Sequence, residues 1–265
     1  MFSAIAHQLR LFFVALQFFT RLPIPRWVGF QPEWLQHASR YFPLVGVVVG
    51  ALCGAVYLLA AFLLPGAVAA LLATIAGIYL TGAFHEDGFA DVCDGFGGGL
   101  TRERVLEIMR DSRVGAYGAI GIALMLALKW LVLAELPGRA VIAAFLLAHP
   151  LSRFAASTLI WKLDYVRFDS SKAKPLAQQM SGLEFGIAGL TALGMATLIG
   201  AAGFLPWAAI VCAVATSAVA VLWLSKKFVR RIGGYTGDCL GAVQQVAEVA
   251  IYLSVLACVQ RGSWH

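Results

Sequence analysis

The sequence predicts an all-α fold: a polytopic integral membrane helix bundle of about seven transmembrane helices, preceded by an N-terminal interfacial or re-entrant helix. Three observations predict it. Hydrophobic residues make up 60% of the 265 residues and charged residues only 13%, whereas a soluble domain carries about 25% charged residues. Apolar segments of membrane-spanning length recur along the chain, and basic residues collect in alternate connections. No internal repeat or separate soluble domain is visible, so we expect residues 1–265 to form one membrane domain.

Seven segments come close to the ~20 apolar residues that a helix needs to cross a bilayer. They cover residues 42–64, 66–84, 115–136, 138–160, 185–205, 206–224 and 240–259. Pro65-Gly66, Pro137-Gly138 and Leu205-Pro206 mark very short turns between consecutive spans. The sequence therefore predicts that the longer connections all lie at the other end of the bundle.

Those longer connections are residues 85–114, 161–184 and 225–239, and they carry most of the basic side chains. These are Arg102, Arg104, Arg110, Arg113, Lys162, Arg167, Lys172, Lys174, Lys226, Lys227, Arg230 and Arg231. Basic residues concentrate in cytoplasmic loops. The net charge of +6 therefore reports sidedness rather than nucleic-acid binding, and we expect this side to face the cytoplasm.

Residues 1–41 form a segment of mixed character. The apolar run from Phe12 to Phe19 is about half of a spanning length, and Pro23 and Pro25 end it. Arg21 follows the run and is a candidate substrate-binding residue. The segment is interpreted as an interfacial or re-entrant helix, with a peripheral anchor that takes no part in catalysis as the alternative.

The most informative stretch runs from His85 to Gly99, directly after an apolar segment. In a helix its carboxylates Asp87, Asp91 and Asp94 would lie within about 60° of one another. Three like charges on one face repel, and a hard cation bound by oxygen ligands removes that repulsion. The stretch therefore favours a Mg²⁺ and phosphate site beside the membrane, with a solvated acidic loop as the alternative.

The connection continues with a predicted short helix. Thr101 can cap its N-terminus, and the helix runs from Arg102 to about Ser112. Arginines here can simply mark the cytoplasmic side. Because they follow a carboxylate cluster, we interpret them as diphosphate ligands, since a guanidinium grips phosphate oxygens in pairs. These ligands are Arg104, Arg110 and Arg113.

Ionisable residues inside spans are functional candidates because burying them in a bilayer is costly. Arg153 is a candidate substrate ligand, with a side chain that extends to the cytoplasmic surface as the alternative. Asp238 begins the last span and Glu248 follows on the same stripe. They either complete the site from a second helix or form a buried interhelical contact. Lys129 stands alone in its span, without an evident role.

Several motifs along the whole chain resemble those of the cobalamin synthase (adenosylcobinamide-GDP ribazoletransferase) family. They are Phe19-Thr20-Arg21-Leu22-Pro23, Tyr41-Phe42-Pro43-Leu44-Val45-Gly46, His85-Glu86-Asp87-Gly88 with Ala90-Asp91 and Asp94-Gly95, Arg104, Asp111-Ser112-Arg113-x-Gly115, and Gly234-x-Thr236-Gly237-Asp238-x-Leu240-Gly241-Ala242. The resemblance implies a Mg²⁺-dependent membrane enzyme. It would join adenosylcobinamide-GDP to α-ribazole or its 5′-phosphate and release GMP.

For that reaction we expect Asp87, Asp91 and Asp94 to hold Mg²⁺, with Asp94 also counted among the catalytic residues. His85 and Glu86 are the candidate general bases, and His85 is favoured because its unperturbed pKa is near neutral. The expected partners are the two small-molecule substrates and the lipid bilayer. Small residues such as Gly46, Gly50 and Gly54 fit helix pairing within one chain or in a homo-oligomer.

Two other function classes compete with this interpretation. A CDP-alcohol phosphotransferase also places several aspartates around divalent metal, but its pattern needs an Ala-Arg pair where this chain has Ala90-Asp91. A divalent-cation or solute carrier would place its ligand near the bilayer midplane, commonly between repeated halves. The acidic stretch instead lies at the edge of a span.

Overall fold

The chain is a bundle of α-helices in the computed structural model, which describes residues 2–166 and 178–262. The helices are α1 (Phe2–Phe19), α2 (Pro32–Ala38), α3 (Phe42–Ala61), α4 (Gly66–Thr81), α5 (Phe84–Gly98), α6 (Arg102–Ile108), α7 (Ala116–Ala134), α8 (Gly138–Lys162), α9 (Gly182–Ala201), α10 (Trp207–Ile232) and α11 (Gly237–Gly262). Arg167, Lys172 and Lys174, which the sequence places in the predicted connection 161–184, lie outside the described residues.

Within the described part of the chain, six helical segments are long and apolar enough to cross a membrane. They are Pro32–Ala61, which contains α3, and α7, α8, α9, α10 and α11. The helices α4 and α5 are long and apolar enough only when taken together. If they count as one broken span, the number of spans is seven. The predicted fold class, an all-α bundle of about seven spans after a shorter apolar helix, is confirmed.

The main differences from the prediction lie at helix ends. The span predicted to end near residue 224 continues as α10 to Ile232, so Lys226, Lys227 and Arg230 lie on a helix rather than in a loop. Lysine and arginine are good helix formers, and cations are favourable at a helix C-terminus. The predicted cytoplasmic connection 85–114 likewise contains two helices, α5 and α6.

Helix α8 lies at the centre of the bundle, and 83% of its most apolar 18-residue stretch is buried. Its backbone is approached closely by α3: a Cβ added at Gly50 would lie 2.6 Å from the carbonyl oxygen of Phe145, and Gly46 packs on the backbone of His149 and Pro150. Small residues permit such close helix approach in membranes. The glycine series of α3 therefore packs within the chain.

A sharp bend separates α4 from α5 and sets the direction of the acidic helix. The two helices differ in direction by 88°. Gly82 and Ala83 both take the left-handed conformation, with φ of 66° and 59°, which is unusual for a residue with a Cβ. The backbone N–H of Arg21 donates to the Leu80 carbonyl at 2.8 Å, so the N-terminal segment braces the bend.

Candidate active site

Helices α5 and α11 cross in backbone contact, and this crossing positions the site. A Cβ added at Gly88 would lie 2.9 Å from the Cα of Asp238, and one at Gly241 would lie 3.0 Å from the His85 carbonyl oxygen. Only glycine permits this approach without a shift of either helix. The first turn of α11 therefore lies directly beside the first two turns of α5.

The crossing brings three carboxylates together. Asp87 and Asp91 occupy one face of α5, and Asp238 joins them from α11, near enough for the three groups to repel one another electrostatically. Asp87 is exposed, while Asp91 and Asp238 are half-buried. In residues 2–166 and 178–262, neither Asp87 nor Asp91 has an ion-pair partner. We call Asp87, Asp91 and Asp238 the acidic cluster.

Asp94, the third carboxylate predicted from α5, makes a different set of contacts. Its Oδ2 accepts the backbone N–H of Gly115 at 2.7 Å, and its Oδ1 accepts that of Gly118 at 2.8 Å. These N–H groups belong to the first turn of α7, where no intrahelical acceptor is available. A carboxylate is also favourable there because of the helix dipole. Asp94 thus caps α7 from a neighbouring helix.

The two candidate bases face the interior of the bundle. His85 is 4% exposed and its ring stacks on Phe19 at a centroid distance of 5.4 Å. Glu86 is 8% exposed, and its Oε1 accepts a 2.9 Å hydrogen bond from the amide of Gln245. Both therefore lie on a different face of α5 from the exposed Asp87.

The candidate phosphate ligands of the α5–α7 connection are on the surface. Thr101 caps α6 as predicted, accepting the backbone N–H of Arg104 at 3.3 Å. The Arg104 guanidinium pairs with Glu107 at 2.8 Å, and that of Arg113 with Asp111 at 2.6 Å. Hydrogen bonds from Arg113 lower the pKa of Asp111 to about 2. The Arg110 Nε lies 3.5 Å from the Leu106 carbonyl oxygen.

The two other predicted substrate arginines lie elsewhere. The exposed Arg21 packs on the α4–α5 bend, with its guanidinium 5.2 Å from the centre of the Tyr79 ring. Arg153 is only 2% exposed, and its Nη1 donates to the His149 carbonyl at 3.0 Å. The Arg153 side chain therefore stays inside the bundle instead of extending to the surface.

The interior of the bundle contains a polar network around Lys129, for which the sequence indicated no role. Lys129 of α7 lies 3.0 Å from Glu248 of α11 and donates to Gln245 at 2.8 Å. Gln244 and Tyr252 donate to the two oxygens of Glu248 at 2.6 and 3.1 Å. The sequence did contain a signal for this pair. Lys129 and Glu248 each lie in an apolar span, and charged residues within a membrane usually pair with one another.

A second feature that sequence reasoning missed joins the end of α10 to the acidic helix. Arg231 donates to the Gly99 carbonyl at 2.5 Å, the C-terminal end of α5. Lys227 and Arg231 also approach the face of the Phe96 ring at 5.6 and 5.5 Å. Cations are stabilising at helix C-termini, so these contacts hold the glycine-rich end of α5 beside the basic end of α10.

With this geometry in place, comparison with known proteins identifies the family. The family model described as CobS, cobalamin-5-phosphate synthase, matches residues 11–257. The chain belongs to the cobalamin-5-phosphate synthase family. This membership confirms the resemblance carried by the sequence motifs.

Curated relatives of this synthase family match over nearly their full length. One from Shewanella frigidimarina is 49% identical over 254 residues, 94% of this chain and 95% of the relative. One from Vibrio cholerae is 45% identical over 262 residues, 98% of each chain, and one from Leptothrix cholodnii is 46% identical over 268 residues, 97% and 98%. Each is named adenosylcobinamide-GDP ribazoletransferase. No solved structure matches the chain.

Proposed function

We propose that this chain is a membrane-embedded adenosylcobinamide-GDP ribazoletransferase. It joins the adenosylcobinamide-phosphate part of adenosylcobinamide-GDP to α-ribazole, or to its 5′-phosphate, and releases GMP. Membership of the synthase family supports the reaction, and the structural observation that carries the site is the acidic cluster, which lies at the crossing where Gly88 meets Asp238.

The reaction breaks the phosphoanhydride bond of the donor's diphosphate and forms a phosphodiester bond. A ribose hydroxyl of the acceptor attacks the phosphorus nearest the corrinoid, its proton leaves, and the bond to the GMP oxygen breaks, so that GMP departs with the bonding electrons. Such transfers depend on charge neutralisation and positioning rather than on covalent chemistry by the protein. A site of fixed charges at the membrane edge suits this requirement.

The acidic cluster has the chemistry to hold Mg²⁺. Its donors are carboxylate oxygens, which Mg²⁺ prefers, and Asp87 and Asp91 lack ion-pair partners among the described residues. Across those residues, no three His, Cys, Asp or Glu side chains converge as a finished metal site, so ligation requires the aspartate side chains to turn inward. Bound Mg²⁺ supplies charge neutralisation at a diphosphate.

Asp94 is not among the proposed metal ligands. Both of its oxygens accept backbone N–H groups at the start of α7, which favours a structural role, and the ligand set we propose is therefore Asp87, Asp91 and Asp238. The arginines Arg104, Arg110 and Arg113 lie on the same connection and would bind the phosphate oxygens that face solvent, since guanidinium groups pair with phosphate in bidentate geometry.

The proton of the attacking hydroxyl needs an acceptor on α5. His85 and Glu86 remain the predicted candidates. The Glu86 Oε2 has no hydrogen-bond partner within the described residues, while the His85 ring is stacked on Phe19. Both side chains are buried on a different face of α5 from Asp87, so the role of either as the proton acceptor stays a prediction.

We also propose that the site faces the cytoplasm across a bacterial inner membrane. The basic residues of the α5–α7 connection and of the α10 C-terminus meet at one end of the bundle, where Arg231 contacts Gly99. Basic residues favour the cytoplasmic side. Exposed Glu135, at the opposite end of α7, accompanies a connection with little charge.

The test is GMP release by purified protein in lipid nanodiscs supplied with both substrates, with and without Mg²⁺. We expect GMP to form only with the corrinoid donor, the acceptor and Mg²⁺ together. Parallel reactions contain a CDP-alcohol in place of the corrinoid donor, or measure cation flux in proteoliposomes. Turnover of the CDP-alcohol, or flux without GMP, would overturn the proposal.

A further inference from the structure

The polar interior of the bundle contains a small cavity bordered by His85 and Glu86. It lies among α3, α4, α5, α7, α8 and α11, and its lining includes Cys53, Thr74, His149 and Arg153. Its volume is about 20 Å³, and a cavity needs roughly 10–15 Å³ to hold one water molecule. The cavity is therefore the size of a single water site.

Three of the residues that line this cavity each contain a buried polar atom with no hydrogen-bond partner within the described residues. These atoms are Glu86 Oε2, His149 Nε2 and Arg153 Nε. Their side chains are between 2% and 8% exposed. Leaving a buried polar group without a hydrogen bond is costly, so three residues with such atoms around one cavity indicate a bound polar species.

The chemistry of the lining decides which species binds. A carboxylate oxygen accepts, a guanidinium N–H donates, and an imidazole nitrogen does either. The cavity wall already contains two basic groups, Lys129 and Arg153, and two acidic groups, Glu86 and Glu248, so a neutral ligand preserves its charge balance. Within about 20 Å³, water is the neutral species that both donates and accepts.

We propose that this cavity is a binding site for an ordered water molecule that bridges α5 to α8. Glu86 lies on α5, and His149 and Arg153 lie on α8. Gln245 holds the other oxygen of Glu86 from α11 at 2.9 Å, so the water and Gln245 together fix the Glu86 carboxylate. The hydrated cavity orients the helix that carries the acidic cluster.

Radical footprinting tests the site directly, because hydroxyl radicals made from water by X-ray pulses modify side chains beside bound water. Cys53 lines the cavity and is 1% exposed; Cys239 is 0% exposed and outside the cavity lining. In the intact protein in nanodiscs, Cys53 should be oxidised at least about tenfold faster than Cys239. Equal protection of the two cysteines would overturn the proposal.

Two substitutions separate bound water from chance reactivity. His149→Phe removes one bridging atom, and Thr74→Leu fills the cavity from α4 without altering the three bridging side chains. Each should lower Cys53 oxidation by about fivefold or more and leave Cys239 unchanged. Unaltered Cys53 oxidation in a folded Thr74→Leu variant contradicts the water site, and this readout does not depend on transferase activity.

Discussion

Gly88 of α5 and Asp238 of α11 are in direct backbone contact, with no space for a methyl group between them. The Gly88 Cβ that alanine would add lies 2.9 Å from the Asp238 Cα, closer than carbon atoms pack. The separation of the acidic cluster therefore depends on the absence of a side chain at Gly88, and we expect a side chain at this position to affect catalysis.

Gly88→Ala should separate α5 from α11 and lower the rate of GMP formation by about tenfold or more, because misplacement by about 1 Å costs about 10²-fold in related situations. The matched control is Gly186→Ala in α9, where an added Cβ meets nothing within 4 Å and helix propensity improves by up to about 1 kcal/mol. Equal activity of the two variants would show that the crossing does not set the geometry.

Asp91→Asn should lower GMP release by at least about 100-fold, the scale seen when one charge-stabilising group is removed. Expression and helical content should stay at the wild-type level because Asp91 is half-buried and has no ion-pair partner within the described residues. Glu135→Gln, at an exposed acid on the opposite end of α7, is the control. Near-normal turnover by Asp91→Asn refutes its metal role.

Asp94→Asn separates the capping role from metal binding. The amide nitrogen of asparagine would face a backbone N–H of Gly115 or Gly118, and we expect a stability loss of about 1–3 kcal/mol from the lost acceptor. The Mg²⁺ concentration for half-maximal activity should stay within about twofold. Unfolding in detergent and Mg²⁺ titration measure the two effects, and the reverse pattern would make Asp94 a ligand.

Lys129→Met should destabilise the protein by about 3–5 kcal/mol because it removes the lysine that lies 3.0 Å from the buried Glu248 carboxylate. The double variant Lys129→Met/Glu248→Leu removes both charges and should recover most of that loss. Denaturant-induced unfolding of the purified variants provides the measurement, with Lys226→Met at an exposed position as the control. A double variant as unstable as the single one contradicts the pairing.

The sequence was sufficient for features that depend on local pattern. Hydropathy predicted the spans, and helical spacing predicted that Asp87 and Asp91 share a face. Contacts between distant segments were beyond it: the acceptor role of Asp94 depends on where α7 begins. The orientation of His85 and Glu86 toward the interior follows from the left-handed Gly82–Ala83 bend, which no periodicity reveals.

The pairing of Lys129 with Glu248 has a consequence for biogenesis. During synthesis α7 leaves the ribosome well before α11, and an unpaired lysine at a helix centre costs about 2.5–3.5 kcal/mol on translocon insertion scales. The partner that offsets this cost arrives with the last helix. The Lys129–Glu248 pair can therefore form only after α11 has been made.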